Sequence, residues 1–139
     1  MLSGFARTRA AEPAPAYQWL HRSAGLPTLQ AGVNSVALDN HGAAFLSGFF
    51  LGTIALGTNS LTSATTNFSI YYDTFVARCD EKGDYLWVRQ ISGLGLSGYT
   101  SIAPDTQDNA IVLGTFVGSI SLGSVELIAG GSATESEQV

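Results

Sequence analysis

The sequence repeats itself at a spacing of 66 residues, and this repeat restricts the fold more than any other feature. When residues 35–63 are aligned with residues 101–129, eleven of the 29 pairs are identical. Further upstream, Tyr17-Gln18-Trp19 aligns with Tyr85-Leu86-Trp87 at a spacing of 68, so the difference of two residues falls in the following loop. A length change in a loop between matched segments is typical of a genuine duplication. The chain is therefore predicted to contain a duplicated structural unit.

Each copy is predicted to be a series of short strands separated by turns. The predicted strands are residues 17–22, 35–38, 43–50, 53–56 and 73–80 in the first copy, and residues 85–91, 101–103, 110–116 and 119–122 in the second. Hairpin turns begin at Asp39 and Asp105, where Asp, Asn and Gly supply local hydrogen bonds and positive φ angles. Pro104 takes the place of Leu38, so its strand is predicted to end early or to lie at a sheet edge. We expect an all-β protein of about eight or nine antiparallel strands.

The repeat also predicts the domain organisation. Residues 17–84 form the first repeat unit and residues 85–131 form a second, incomplete one, because the counterpart of strand 73–80 would follow Gly131. Residues 132–139 are then a polar tail. Residues 1–16 are interpreted as a flexible leader or linker, since they lack the apolar stretch of about 7–15 residues that a secretion signal requires.

Composition excludes several classes of function. The net charge is −5 with only 6 Lys and Arg residues, so the chain has no cationic face for nucleic acid. No apolar run approaches the roughly 20 residues that span a bilayer, so membrane insertion is not predicted. Charged residues make up only 12% of the sequence, which is typical of an all-β surface rich in turns and hydroxyl side chains. The single cysteine, Cys79, excludes an intramolecular disulfide and is predicted to be a buried thiol.

These segments resemble the bacterial and archaeal SBBP family of seven-bladed β-propeller repeats. The resemblance covers about residues 17–131 and depends on three motifs: Ser35-Val36-Ala37-Leu38-Asp39, Gly48-Phe49-Phe50-Leu51-Gly52-Thr53, and residues 73–87 with their Phe75-Val76-Ala77 centre and Trp87. It implies propeller-like blades and a secreted or cell-surface protein that acts as a scaffold or binding platform. Fewer than two units cannot close a ring of 4–8 blades. The chain is thus a fragment, a subunit of a ring built from several copies, or another all-β form that reuses the repeat.

Candidate catalytic and metal-binding residues are sparse, so we predict no enzyme and no cofactor. Gly93-Leu94-Gly95-Leu96-Ser97-Gly98 matches a dinucleotide-binding fingerprint, but a predicted strand follows it where that motif requires a helix. His21 and His41 are the only histidines and are interpreted as exposed polar residues. The residual metal hypothesis is calcium at Asp80 and Asp84, whose turn could equally be an ordinary hairpin.

The least repeat-like segment, residues 58–72, contains the candidate contact residues Phe68, Tyr71 and Tyr72. Aromatic side chains on a loop can stack on sugars or contact a protein, although packing in the core explains them equally well. We expect a non-enzymatic module for surface binding, scaffolding or self-assembly, with strand addition at an exposed edge joining copies into a homo-oligomer. The alternatives are a carbohydrate-binding module using these aromatics, a site for another protein, or a fragment of a larger propeller enzyme.

Overall fold

The computed structural model describes residues 24–25, 30–64, 72–93 and 96–130 of the 139-residue chain. Within these ranges the protein consists of eleven β-strands. In chain order they are β1 Ala24–Gly25, β2 Gln30–Leu38, β3 Ala44–Leu51, β4 Thr53–Leu56, β5 Asn59–Thr62, β6 Asp73–Cys79, β7 Tyr85–Gly93, β8 Leu96–Pro104, β9 Ala110–Phe116, β10 Ser119–Leu122 and β11 Val125–Ile128. All pairings between them are antiparallel, so the prediction of an all-β fold is confirmed. Nowhere in these ranges does a helix have the length and apolar character needed to traverse a lipid bilayer.

Strands β2, β3, β6 and β7 pair antiparallel in the order β7-β6-β3-β2, and we call them the four-stranded unit. The β4–β5 hairpin lies between β3 and β6 in the chain. The β10–β11 hairpin continues this sheet by pairing with the far edge of β7, giving the order β11-β10-β7-β6-β3-β2. Strands β8 and β9 form a separate sheet, the two-stranded unit, and β4 and β5 form a hairpin that also pairs with β1. No sheet closes on itself within the described ranges.

The sequence repeat is reproduced in the backbone pairing. Gly25 of β1 pairs with Ile54, and Gly93 of β7 pairs with Ile120, which is the counterpart of Ile54. The hairpins are closed in the same way: Ser63 N donates to Gly52 O at 2.8 Å, and Ala129 N donates to Gly118 O at 2.6 Å. The duplication therefore extends from sequence identity to hydrogen bonding.

Three of the described strands, β1, β5 and β11, were not predicted, and the expected total of eight or nine strands is too low. Strand β1 lies in the loop expected after residues 17–22. Strands β5 and β11 each follow their neighbour through a two-residue turn whose first residue is a glycine with φ of 62°, Gly57 or Gly123. Glycine adopts this angle without steric cost and favours tight hairpins. The identity of Leu61 and Leu127 at equivalent repeat positions could have indicated both strands. Strand β5 was missed because the residues beside Leu61 are polar.

The remaining predicted strands agree with the structure to within a few residues, apart from β2 and β8, which begin earlier. Residues 53–56, 110–116 and 119–122 coincide with β4, β9 and β10. Strand β2 begins at Gln30 because a bulge between Val33 and Ser35 accommodates the irregular residues before the repeat motif. Pro104 is the last residue of β8, which is an edge strand, as proline requires. The predicted strand 17–22, the leader and the tail lie outside the described residues.

Two apolar clusters hold the sheets together. The outer cluster lies between the four-stranded unit and the β4–β5 hairpin; its buried members are Phe50, Ile54, Leu56, Phe75, Ala77 and Val88. The inner cluster lies between the four-stranded and two-stranded units; its buried members are Phe45, Val76, Ile91 and Ile102. Strand β3 is apolar on both faces because both are covered, whereas a strand with one wet face alternates.

Candidate functional site

The same five-residue turn occurs three times, at residues 39–43, 80–84 and 105–109. In each, the first residue is an aspartate whose Oδ1 accepts hydrogen bonds from the amides two and four residues later, at 2.7–2.9 Å. The fourth residue has a positive φ angle: 85° at Gly42, 89° at Gly83 and 63° at Asp108. In each turn the amide of the fourth residue also donates to the backbone carbonyl of the aspartate, so the aspartate side chain adds to the backbone hydrogen bonds that close the turn.

Asp108 departs from the pattern because it occupies a position that is glycine in the other two turns. It is the one non-glycine residue with a positive φ angle in the described part of the chain. A left-handed conformation costs an ordinary side chain roughly 1–2 kcal/mol, and aspartate tolerates it better than most. The substitution also places a carboxylate at the junction between the two units.

Arg78 of β6 joins the two units at this junction. Its Nη2 donates to Asp39 Oδ2 at 2.8 Å and to Asp108 Oδ2 at 3.0 Å. The Arg78 side chain is 19% exposed, compared with 3% for Asp39 and 38% for Asp108. The guanidinium carbon also lies 5.1 Å from the centroid of the Phe45 ring, within the range of a cation–π contact. One cation therefore contacts a buried carboxylate, a half-exposed carboxylate and an aromatic face.

The hydrogen bonds shift the titration of these groups. Burial raises the pKa of Asp39, but the hydrogen bonds from Arg78 and from the amides of His41 and Ala43 outweigh it, so the net pKa lies below the ordinary value. The hydrogen bond to Asp39 raises the pKa of Arg78 against the opposing effect of burial. Hydrogen bonds from Asn109 lower the pKa of Asp105. The carboxylates of Asp39 and Asp105 are therefore ionised at neutral pH.

An open cleft of about 540 Å³ separates the first and third turns. Its lining consists largely of equivalent positions of the two repeats: Leu38, Asp39, Asn40, His41, Pro104, Asp105, Thr106 and Asp108. Sequence reasoning identified the turns but did not bring them together. The contact depends on the packing of the two-stranded unit against β2 and β3, which no local pattern encodes.

Asp39, His41 and Asp108 present possible metal-ligand atoms within 4.8 Å of one another. The guanidinium of Arg78 already lies within hydrogen-bonding distance of both carboxylates and offsets one of their two negative charges. A cation bound there would have to displace Arg78 or tolerate it at close range. The donor set consequently fits an ion-paired structural junction better than a metal centre.

The residues predicted for calcium, Asp80 and Asp84, lie in the second of the three turns. Asp80 Oδ1 accepts the amides of Lys82 and Asp84, both at 2.9 Å, and Asp84 is exposed. Asp80 thus has the same bonding as Asp39 and Asp105, where one oxygen is occupied by the turn itself. The neighbouring Cys79 is fully buried, and burial raises the pKa of its thiol to about 11.

Of the three predicted contact aromatics, Tyr72 is described, and Phe68 and Tyr71 lie outside the described residues. Tyr72 is half-buried, and its ring packs edge-to-face against Phe49 with centroids 5.0 Å apart. Its hydroxyl donates a hydrogen bond to Gln30 Oε1. Tyr72, the residue before β6, therefore contacts both β3 and the first residue of β2.

The contact between the two units leaves equivalent residues in opposite environments. Ile102 and Val112 of the two-stranded unit pack against the inner cluster, and Ile102 is 5% exposed. Val36, the repeat counterpart of Ile102, is 61% exposed. Conversely, Phe45 is fully buried, whereas its counterpart Ile111 is 58% exposed. Each unit therefore exposes the face whose counterpart is buried in the other unit.

Two exposed apolar surfaces result, which we call the outer face and the open face. The outer face is the side of the four-stranded unit that carries Val33, Val36 and Leu46; Val36 and Leu46 are paired across β2 and β3 and so share that side. The open face is the side of the two-stranded unit that carries Ile111 and Leu113, the latter 74% exposed. Sequence reasoning did not find either surface, since exposure depends on which units are packed together.

Comparison with protein-family models, with curated proteins and with solved structures gave no match to this chain.

Proposed function

We propose that the chain is a non-enzymatic β-propeller repeat module that assembles with further units of its own kind into a surface scaffold. The observation that carries this proposal is the exposure of two apolar surfaces, the outer face and the open face. Inside the chain, the inner side of the four-stranded unit buries Phe45 against Ile102 and Val112. The counterparts of those residues on the opposite sides of the two units, Ile111 and Val36, are exposed.

Such an interface is head-to-tail, because the two contacting surfaces are different. The open face of one copy corresponds to the side of the four-stranded unit that carries Phe45. The outer face of another copy corresponds to the side of the two-stranded unit that carries Ile102. Repeating the internal contact between copies brings Leu113 and Ile111 against the region of Val36. Heterologous contacts of this type generate closed rings or open filaments according to the rotation between neighbours. The proposed blade identity of the units, and the resemblance to SBBP repeats, accord with a ring.

A second feature favours assembly. Strand β3 pairs on both sides, with β2 and with β6, whereas its counterpart β9 pairs only with β8 among the described residues. A strand edge without a neighbouring strand invites strand addition. The edge and the open face adjoin each other, so both can be covered by one neighbouring unit.

A non-enzymatic role is proposed because the carboxylates at the polar junction between the units already accept hydrogen bonds from within the chain. Asp39 and Asp108 accept hydrogen bonds from Arg78, and Asp105 accepts from Asn109. Tyr72, one of the aromatics that a carbohydrate-binding module would use, contacts Phe49 and Gln30. We accordingly place partner contact at the exposed apolar faces. An extracellular or cell-surface location belongs to the same proposal and derives from the family resemblance.

The test is the mass of the protein in solution over a hundredfold range of concentration, by light scattering coupled to size exclusion. The proposal predicts masses above that of one 14.5 kDa chain, falling on dilution. A mass of one chain throughout the range would contradict it.

A further inference from the structure

An apolar cavity of about 230 Å³ lies between the two-stranded unit and the β10–β11 hairpin. All of its lining residues belong to the second repeat: Ile91 of β7 and Thr100, Val112, Gly114, Thr115, Phe116, Ile120, Leu122 and Leu127. It is open to solvent, because Leu122 and Leu127 in its lining are 46% and 50% exposed.

The same positions in the first repeat leave a smaller space, of about 140 Å³. Leu46, Phe50, Ile54, Leu56 and Leu61 are the counterparts of Val112, Phe116, Ile120, Leu122 and Leu127, and they form the outer cluster. That cluster is completed by Phe75 and Ala77 of β6 and by Val88 of β7, all of them nearly or fully buried. The second repeat has no counterpart of β6 among the described residues, and the cavity lies where such a strand would place its side chains.

A glycine marks the position of the missing side chain. In the first repeat, Gly48 pairs with Phe75, and the ring lies directly over it. A Cβ on Gly48 would come within 2.5 Å of Phe75 Cζ and would also clash with the Gly32 carbonyl oxygen, so a side chain is excluded. The second repeat keeps this glycine as Gly114, which lines the cavity. Gly114 therefore leaves room for a phenylalanine that no described residue of the second repeat supplies.

We propose that the cavity and the β9 edge form an acceptor groove for a β6-type strand supplied by another polypeptide with the same repeat. This inference relies on the proposed function as a repeat module and specifies one contact within it. The strand pairs antiparallel with β9 in the register of β3 and β6, so that its phenylalanine lies opposite Gly114. Main-chain hydrogen bonds supply affinity, and the apolar side chain in the cavity supplies specificity.

The pattern of β6 states what the incoming strand must carry. Phe75 and Ala77 point toward the outer cluster, whereas Val76 points to the inner cluster. A strand with this alternation would fill the cavity on one side and extend the open face beside Leu113 on the other. A strand with a charged residue at the Phe75 position would bury that charge without a partner.

The probe is a fluorescein-labelled peptide of residues 72–80 with Cys79→Ser, titrated with the full chain and followed by fluorescence anisotropy. We expect saturable binding that weakens about tenfold or more when the peptide carries Phe75→Ala, because an anchor in an apolar pocket dominates such interfaces. In the chain, Gly114→Val should weaken binding to the same degree. Ser121→Val, at an exposed position on β10 outside the cavity lining, is the matched control and should leave binding unchanged.

Leu122→Glu provides a second block of the groove if Gly114→Val does not fold, because Leu122 is 46% exposed and lines the cavity. The absence of binding, or binding that is indifferent to Phe75, Gly114 and Leu122, would overturn the inference. Light scattering on the same samples separates the two proposals. A chain that assembles but ignores the peptide removes the acceptor groove alone, and a monomer that binds the peptide removes the self-assembly proposal alone.

Discussion

The guanidinium of Arg78, in the first repeat, donates a hydrogen bond of 3.0 Å to the carboxylate of Asp108, in the second. Asp108 holds the left-handed backbone conformation that is occupied by glycine in the equivalent turns. A strained conformation is retained where the side chain has a role, and here the role is to link two packed units. Arg78 simultaneously contacts Asp39, so the link is a shared pair of carboxylates around one cation.

The two carboxylates should contribute unequally to stability. Asp108 is 38% exposed and Asp39 is 3% exposed, so solvent screens the first contact more than the second. Asp108→Asn keeps the backbone preference and should lower the free energy of unfolding by about 0.5 kcal/mol. Asp39→Asn keeps Oδ1 as the turn acceptor but replaces the acceptor Oδ2, which is buried and receives the Arg78 hydrogen bond, so its effect should be the larger. Urea unfolding of both variants checks this order, and equal effects would contradict the geometry.

Stability should fall in acid because of the same turns. The carboxyls of Asp39 and Asp105 titrate at an ordinary value of 3.8 when unfolded, and their pKa lies below that value when the chain is folded. The unfolded chain therefore takes up protons first as the pH falls. The stabilisation is complete above about pH 4 and is lost as the pH drops through the folded-state pKa values. Urea midpoints between pH 2 and pH 6 should show this slope, and the double variant Asp39→Asn, Asp105→Asn should show a flatter one.

The thiol of Cys79 should be unreactive in the folded protein. Burial raises its pKa from 9.0 to about 11, with the nearby charges of Asp80 and Asp84 acting in the same direction. Two pKa units leave about a hundredfold less thiolate at pH 8, and burial further restricts access. Iodoacetamide at pH 8 should thus label the native protein at least about a hundredfold more slowly than the protein in urea. Similar rates in both conditions would mean that β6 is not packed as described.

Truncation of equivalent core residues in the two repeats should lower the free energy of unfolding by different amounts. Phe50 is fully buried in a complete cluster, so Phe50→Ala should destabilise the protein by about 3–5 kcal/mol. Its counterpart Phe116 is half-buried beside the cavity, and Phe116→Ala should cost only about 1–2 kcal/mol. The comparison holds chemistry constant and varies only the completeness of the unit. Equal losses in chemical denaturation would show that the second repeat is as well packed as the first.

The sequence predicts much of the local structure because local physical rules determine it. The aspartate turns, the glycine positions and the alternation of β9 each follow from residues close together in the chain. The junction of Arg78 with Asp39 and Asp108 does not, since it depends on two units meeting across a sheet face. The contacts of Tyr72 with Phe49 and Gln30 were not predicted for the same reason, because these residues are distant from Tyr72 in sequence. Val36 is exposed and Ile102 is buried for the same reason, because the two-stranded unit covers only one side of the four-stranded unit.

The head-to-tail contact can be tested most directly with two complementary variants. Val36→Lys places a charge on the outer face and leaves the open face intact, whereas Leu113→Lys does the reverse. We expect each variant alone to have the mass of one chain by light scattering, and an equimolar mixture to have the mass of two. A mixture that remains monomeric, or single variants that assemble as the unmodified chain does, would contradict head-to-tail assembly through these faces.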